Sequence, residues 1–578
     1  MPPSPRSGRR RRGRFSRGRT RVSAEKLDAL FGNPRDADNP VGYAAILAAD
    51  ERHEMLAEGE RLLDAYGMNA EFVPAAYGGR LVRADRLAEV QRELWRRDPC
   101  LGLGYGFSSL LGSVNIWSAG THEQRTKASE ILLRGGRIAA AFHELDHGND
   151  FAQAECAASP SDDGWLLNGR KEIVTNLRRA EAMVVFARTS EAAGSRSHSQ
   201  FFVTRAELPA DRVLDLPRFP SSGMNGVQLG GLRFSDCPIP GDAMLGRPGQ
   251  GIENALRAYQ LSRVVLPAVI VGPLDTALRL ALECVHERRL YGGFAADLPY
   301  VRTALARVFA DLLAIDAFCG VGLRALHLAP EATLLYAPAV KYLTSRILLD
   351  AFEDLRAVMG AQGYLREGSY AMFQKLVRDA APATFAHISR SACLVLILPQ
   401  LPRLARKSWL TDPAAAQQLF DLGADLPPLD FDRLAVGMLS GDGLIGVLAE
   451  TAERESAGSP VGRFAVRFRD EVLALRDQCA ALAPSDLTIG ASPEAYAAAD
   501  RYTVLIAAAA ALAVWRSDGR QQEAALLGIL DRLSGRLGGA PVLTPDERAS
   551  AEQALFDIAV ERFQDGRLLD LSARRVSG

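Results

Sequence analysis

Gly164-Trp-Leu-Leu-Asn-Gly-Arg-Lys-Glu-Ile-Val-Thr-Asn176 lies in a tract whose texture differs from everything around it. Between Phe142 and Pro240 the apolar residues fall in short runs: Trp165–Leu167, Met183–Ala187, Gln200–Val203 and Gly231–Phe234. Clusters of Gly, Pro, Asp and Ser bound them, which is the pattern of a small β-domain.

On either side the pattern is helical. Toward the N-terminus, apolar residues recur at three and four spacing in Tyr43–Tyr66 and Ala84–Trp95, with a Pro/Gly break at Val73-Pro-Ala-Ala-Tyr-Gly-Gly79. Toward the C-terminus, Leu256–Glu287 is long and periodic and carries Pro267, where a kink is expected. Tyr300–Leu328, Glu331–Met359 and a stretch from Phe373 to Leu401 follow, long enough for a four-helix bundle. After a proline-punctuated passage the chain is again helical and alanine-rich from about Leu429.

The expected architecture is therefore α+β, mostly α. A basic disordered tail spans 1–23, an N-terminal helical domain 24–140, a middle β-barrel domain 141–245, a four-helix bundle 246–402 and an additional C-terminal helical domain 403–578.

Bulk composition excludes several function classes. The 578 residues carry a formal net charge of −1, so no global field favours nucleic acid. Residues 1–22 hold nine arginines and no acid, which predicts a solvated, unpacked tail rather than a secretory signal, because no apolar stretch follows. The longest wholly apolar run, Val504–Trp515, is short of the roughly 20 residues a membrane span needs. The seven cysteines are dispersed and odd in number, which suits a reducing cytoplasm.

His143-Glu-Leu-Asp-His147 matches the zinc pattern H-E-x-x-H, in which two histidines share one helix face. Gly148-Asn-Asp follows at once and would stop such a helix, Asp146 sits between the would-be ligands, and no third ligand stands downstream. We expect no metal here.

Read in order, several segments resemble the acyl-CoA dehydrogenase family. Val73–Gly79 resembles its P-x-x-Y-G-G loop, Gly120-Thr-His-Glu-Gln124 its G-T-x-E-Q turn, and Phe142–Asp150 occupies the place of T-E-P-x-A-G-S-D. Gly164–Asn176 is similar to G-y-x-l-N-G-x-K-x-w-I-T-N. Leu232–Pro240 with Leu245–Gly251 resembles the exit from the β-domain. Glu287-Arg-Arg-Leu-Tyr-Gly292, Val358-Met-Gly-Ala-Gln-Gly-Tyr364 and Arg378-Asp379 resemble E-R-x-x-F-G, the G-G-x-G-y segment and R-D.

The resemblance implies an FAD-dependent oxidoreductase acting on the α,β bond of an acyl thioester borne by CoA or a carrier protein. In that family a carboxylate removes the α-proton while the β-hydride passes to flavin, within a site that fixes both partners. Residue by residue, Phe142, His143, Ile173, Val174, Thr175, Gly360, Ala361 and Ser389 would contact the cofactor. Arg288 would meet the flavin pyrophosphate across a subunit boundary, with Tyr291 stacked nearby. Asn149 and Arg263 would face the substrate. A homodimer or homotetramer is implied, with an electron-transfer partner or O2 as acceptor.

The chain departs from the family at the base. His387 stands where the family has its usual glutamate, and Ser262 stands at the alternative position just before Arg263. Three readings stay open: a dehydrogenase or oxidase with His387 as base, a reduced-flavin-dependent monooxygenase that needs no such base, or a non-catalytic subunit of a mixed oligomer. The region 403–578 carries no motif and suits a scaffold role.

Overall fold

The computed structural model describes residues 18–192, 194–410, 413–437, 439, 441–518 and 522–576. The first 17 residues of the basic tail lie outside them. Residues 18–23, expected in that tail, belong instead to the helix Gly18–Phe31. Leu27 and Phe31 are buried on this helix, which packs against the helix Ala84–Arg97, with the Arg97 guanidinium 5.2 Å from the Phe31 ring. Packing of those two apolar residues draws the helix into the folded body.

The middle domain is a curled seven-stranded sheet: β1 (Ile138–Ala141), β2 (Ala157–Ser161), β3 (Gly164–Thr175), β4 (Ala182–Arg188), β5 (His198–Thr204), β6 (Val213–Leu216) and β7 (Leu229–Pro240). The pairing order is β1-β4-β2-β3-β7-β6, with β5 also on β4. The longest ladder joins β3 to β7 antiparallel, and its register shifts between Lys171 and Val174. That bulge places Ile173 at φ +55°, turned out of the ladder, while Val174 stays in the sheet's core at 2% exposure.

The bundle is built on Gly251–Glu287, Pro299–Leu328 and Thr333–Met359, which pack on one another, with Ala84–Arg97 against the first. The first helix runs unbroken through Pro267 and Pro273. The stretch Phe373–Leu401, expected as one element, is broken. Ala371–Ala380 ends, a loop follows, and Arg390–Ile397 begins under an N-cap in which the Ser389 hydroxyl accepts from the Ala392 N–H at 3.2 Å. The break carries His387 inward.

The C-terminal helices Gly443–Arg454, Pro460–Ala480, Pro493–Asp518, Glu523–Leu537 and Pro545–Gln564 pack on one another. Pro493–Asp518, Glu523–Leu537 and Pro545–Gln564 also cover Pro299–Leu328. Several polar links tie this region to the core, among them those around Arg92, Asp442 and His327. Arg92 donates to Asp316 at 2.7 Å and to Asp570 at 2.9 Å. Buried Asp442 accepts from Tyr336 in the bundle at 2.7 Å and from Tyr502 at 2.6 Å. His327 accepts the Ala84 N–H through Nε2 and faces the Pro427 carbonyl through Nδ1, at 3.0 and 2.9 Å. Among the described residues two helices, Gly251–Glu287 and Pro493–Ser517, are long and apolar enough to cross a bilayer, but 94% and 83% of their most apolar windows are buried within the protein.

Candidate active site

One buried helix supplies the floor of the site. Tyr259, Ser262 and Arg263 lie within two turns of Gly251–Glu287, at three and four spacing, so they share a face. Their exposures are 2%, 0% and 3%. The loop after Ala380 brings His387 onto this face, where its Nε2 lies 2.7 Å from the Ser262 Oγ and its ring stands edge-on to Tyr259 at 4.2 Å. The two positions at which the resemblance places a base are thus joined by one hydrogen bond. His387 holds φ +69°, the left-handed region a non-glycine residue rarely enters.

The surroundings are cationic. Lys341 is buried and donates to the Ala383 carbonyl at 2.7 Å, bracing the His387 loop. Burial brings its ammonium down to about 8. Burial likewise lowers Arg263, whose Nε and Nη1 have no hydrogen-bond partner among the described residues. Burial above all, then the charges of Arg263, Lys341 and His143, hold the His387 imidazole well below its usual range. It is therefore neutral near pH 7. The Ser262 hydroxyl has a second acceptor, the Tyr259 carbonyl at 3.2 Å, so it has an alternative to His387.

The opposite wall is the turn after β1 and the β3 bulge. The Glu172 N–H donates to the His143 carbonyl at 2.9 Å, and the buried Lys171 ammonium donates to the Phe142 carbonyl and to Glu144 at 3.1 and 2.7 Å. Glu144 also accepts the N–H groups of Glu155 and Cys156, and these bonds with Lys171 hold its carboxyl below the usual range against the cost of burial. The segment His143–His147 is a turn, not a helix, so its histidines do not share a helical face. Burial and the Lys171 charge bring His143 down to about 4, opposed by a hydrogen bond with Asn149.

The expected site residues fall into three sets. Arg263 is buried, His387, His143 and Asn149 are half-buried, and Ile173 and Thr175 lie on the adjoining strand; Ile173 is 36% exposed, an apolar side chain free to meet a flat ligand face. Arg288, Tyr291, Gly360 and Ala361 gather at the surface. The Arg288 Nη1 lies 3.5 Å from the Met359 carbonyl, Gly360 has φ +55°, and a Cβ there would sit 3.6 Å from Arg288. Tyr291 is 93% exposed at a turn with φ +52°. This surface set fits a pyrophosphate: a guanidinium beside backbone whose positive φ favours glycine.

In the third set the side chains are engaged within the protein. The Phe142 side chain is in the core, stacked on Phe186 at 5.2 Å and tilted against Tyr259 at 5.4 Å, so only its backbone faces the site. The Val174 side chain is also core, and Ser389 caps a helix. Reading residues one by one missed Tyr259 and Lys341. Both leave a signal: Tyr259 is one turn before Arg263, and Lys341 is the one charge in the apolar run Leu334–Leu343.

Comparison with known proteins agrees with this fold. Residues 139–237 match the acyl-CoA dehydrogenase middle domain, and 249–387 match the acyl-CoA dehydrogenase C-terminal domain. The mitochondrial isovaleryl-CoA dehydrogenase of Oryza sativa subsp. japonica is 25% identical over 321 residues, covering 55% of this chain and 77% of that protein. The human mitochondrial short-chain specific acyl-CoA dehydrogenase is 27% identical over 283 residues, 49% of this chain and 68% of its own. For the isovaleryl-CoA dehydrogenase of Solanum tuberosum the match spans 61% of that protein. Among solved structures, butyryl-CoA dehydrogenase from Megasphaera elsdenii superposes with a TM-score of 0.57 at 20% identity, over 66% of this chain and 96% of that one. The prolyl acyl carrier protein oxidase AnaB does so with a TM-score of 0.60 at 18% identity, over 66% and 98%.

Proposed function

Because the chain belongs to the acyl-CoA dehydrogenase family, whose members are FAD-binding oxidoreductases, we propose that it carries out α,β-oxidation of an acyl thioester with His387 as the proton acceptor. FAD, when bound, supplies the hydride acceptor. Ile173 and Thr175 on the β3 bulge and the His143 turn are the residues that would lie along its ring system, and Arg288 with Gly360 would meet its pyrophosphate.

One observation carries the reading: a neutral imidazole stands on the buried face beside Arg263, with its Nε2 engaged only by a hydroxyl that has another acceptor. Rotation of the Ser262 hydroxyl toward the Tyr259 carbonyl uncovers the Nε2 lone pair for the α-proton. The neighbouring cations favour negative charge as it develops on the thioester oxygen.

The test is anaerobic mixing of the purified flavoprotein with short acyl-CoA thioesters. Bleaching of the flavin absorbance, abolished in His387→Ala, supports the reading. An unbleached flavin with every thioester refutes it. A second reading, reduced-flavin-dependent monooxygenation, is favoured by one feature, the absence of a carboxylate at both base positions. Its signature is product oxygen derived from O2 and dependent on an added flavin reductase.

The seven cysteines are buried and unbridged, which supports a cytoplasmic location. Tyr291, Tyr300 and Tyr364 are 93%, 71% and 81% exposed, which supports a homo-oligomer whose partner covers them.

A further inference from the structure

The electrostatic arithmetic of the interior does not close. In the family this chain belongs to, a glutamate stands at one of two places beside the helix arginine. Here both places are uncharged, His387 and Ser262. Arg263 is 3% exposed, its Nε and Nη1 have no hydrogen-bond partner, and no carboxylate forms an ion pair with it among the described residues. Its near neighbours are Tyr259, Cys393 and His387. None carries negative charge near neutral pH: burial raises the phenol of Tyr259 and the thiol of Cys393, the latter to about 11. Lys341 adds a second buried cation close to the same ring.

Elsewhere buried cations meet either carboxylates or backbone carbonyls: Arg97 donates to the Val41 and Gly32 carbonyls and Arg324 to those of Gln418 and Ala424. Lys171 has Glu144, Lys375 has Asp98 and Asp379, and Arg92 has Asp316 and Asp570. A guanidinium held dry without a counter-charge is costly, and the cost is recovered when an anion arrives with the ligand. A planar fork of N–H groups suits a carboxylate, which it binds through two parallel hydrogen bonds.

We propose that Arg263 is the seat for an anionic group on the acyl portion of the substrate, so that the preferred thioesters are those of dicarboxylic acids. This inference rests on the acyl-thioester reading above. Because Arg263 directly follows Ser262 on the helix and lies beside His387, the carboxylate is borne close to the thioester, on a short chain. The substrate thereby supplies the charge that the missing glutamate supplies in relatives. It also relieves the cationic field around His387, so the imidazole gains basicity only when such a substrate is seated.

The experiment compares thioester pairs that differ in charge but little in size: methylmalonyl-CoA with isobutyryl-CoA, and succinyl-CoA with butyryl-CoA. Binding to the FAD-loaded protein is measured by titration calorimetry, so catalysis is not required. The charged member of at least one pair is expected to bind tenfold or more tighter. Arg263→Gln abolishes the preference, Arg263→Lys retains part of it, and both keep their flavin. His387→Glu, which places a fixed carboxylate beside Arg263, also cancels it and serves if Arg263→Gln does not fold. Equal affinities within both pairs overturn the anion seat and leave the acyl-thioester reading standing. So does a preference that survives Arg263→Gln, or a loss of flavin in that variant, which would make the cofactor the arginine's partner. If none of the four thioesters binds, both readings fall.

Discussion

The Ser262 hydroxyl and the His387 Nε2 are 2.7 Å apart, and they come from two elements separated by 125 residues. The contact couples the helix position and the loop position between which the family divides its base. A substitution at either is therefore felt at the other.

Replacing His387 by glutamate restores a carboxylate beside Arg263 and Ser262. We expect the rate of anaerobic flavin bleaching with an uncharged thioester such as butyryl-CoA to rise by about two orders of magnitude, the low end of what a positioned general base supplies. Stopped-flow absorbance measures it. An unchanged rate would show that proton removal is not what limits this protein.

Ser262→Ala removes the donor to Nε2 while leaving the ring in place. The imidazole, relieved of that bond, should titrate at a higher pH than in the parent, and the acid limb of kcat/KM should move upward with it. A pH–rate profile for the two proteins checks the displacement. No movement would mean that the hydroxyl already points to the Tyr259 carbonyl.

Acid should destabilise the fold through buried histidines. His387, His143 and His327 are each held below their ordinary value chiefly by burial, the last two at about 4. The unfolded chain takes up a proton near pH 6.5 while the folded chain does not. Stability is thus fully present above about pH 6.5 and declines below it, by up to about 1.4 kcal/mol per pH unit for each histidine until its folded value is reached. Urea melts between pH 7.5 and 5 read the slope, and a flat profile over that range would contradict it. At His327 one hydrogen bond is at stake as well: its Nε2 must stay unprotonated to accept the Ala84 N–H.

Lys171→Met leaves Glu144 buried without its ammonium partner. Breaking such a pair costs roughly 3–5 kcal/mol. Because Lys171 also holds the Phe142 carbonyl, FAD retention should weaken together with the melting temperature. Lys171→Met with Glu144→Gln should recover part of the stability, because no unpaired charge remains.

The sequence made some of this legible and hid the rest for definable reasons. Long periodic helices and the four strand runs announce themselves because burial imposes periods of 3.6 and 2. The strands β2, with Ala157-Ala-Ser-Pro-Ser161, and β6, of only four residues, have little intrinsic preference and exist because β3 and β7 pair with them. The loop at His387 was hidden inside an apolar run, because nothing local marks a residue at φ +69° whose position is fixed by Ser262 and Tyr259. Spacing and resemblance found His387 and Arg263 but not that a lone lysine stands close to both. That juxtaposition depends on where Thr333–Met359 crosses the other helices. Phe142, Val174 and Ser389 align with cofactor positions, yet alignment does not say which way a side chain points.

The ion network around Arg92 has a consequence for how the molecule is made. Asp316 and Arg92 meet early in synthesis, but Asp570 completes the trio only after some 250 further residues, and Leu569 and Leu571 then close onto Asp275 and Asp316 through their backbone N–H groups. Until that late segment leaves the ribosome, the bundle holds acidic groups that lack their final donors. Premature termination upstream of Leu569 would therefore leave these acids deep in the helical core short of donors, rather than merely trim an appendage. Cellular proteolysis would sense the defect as an unstable core.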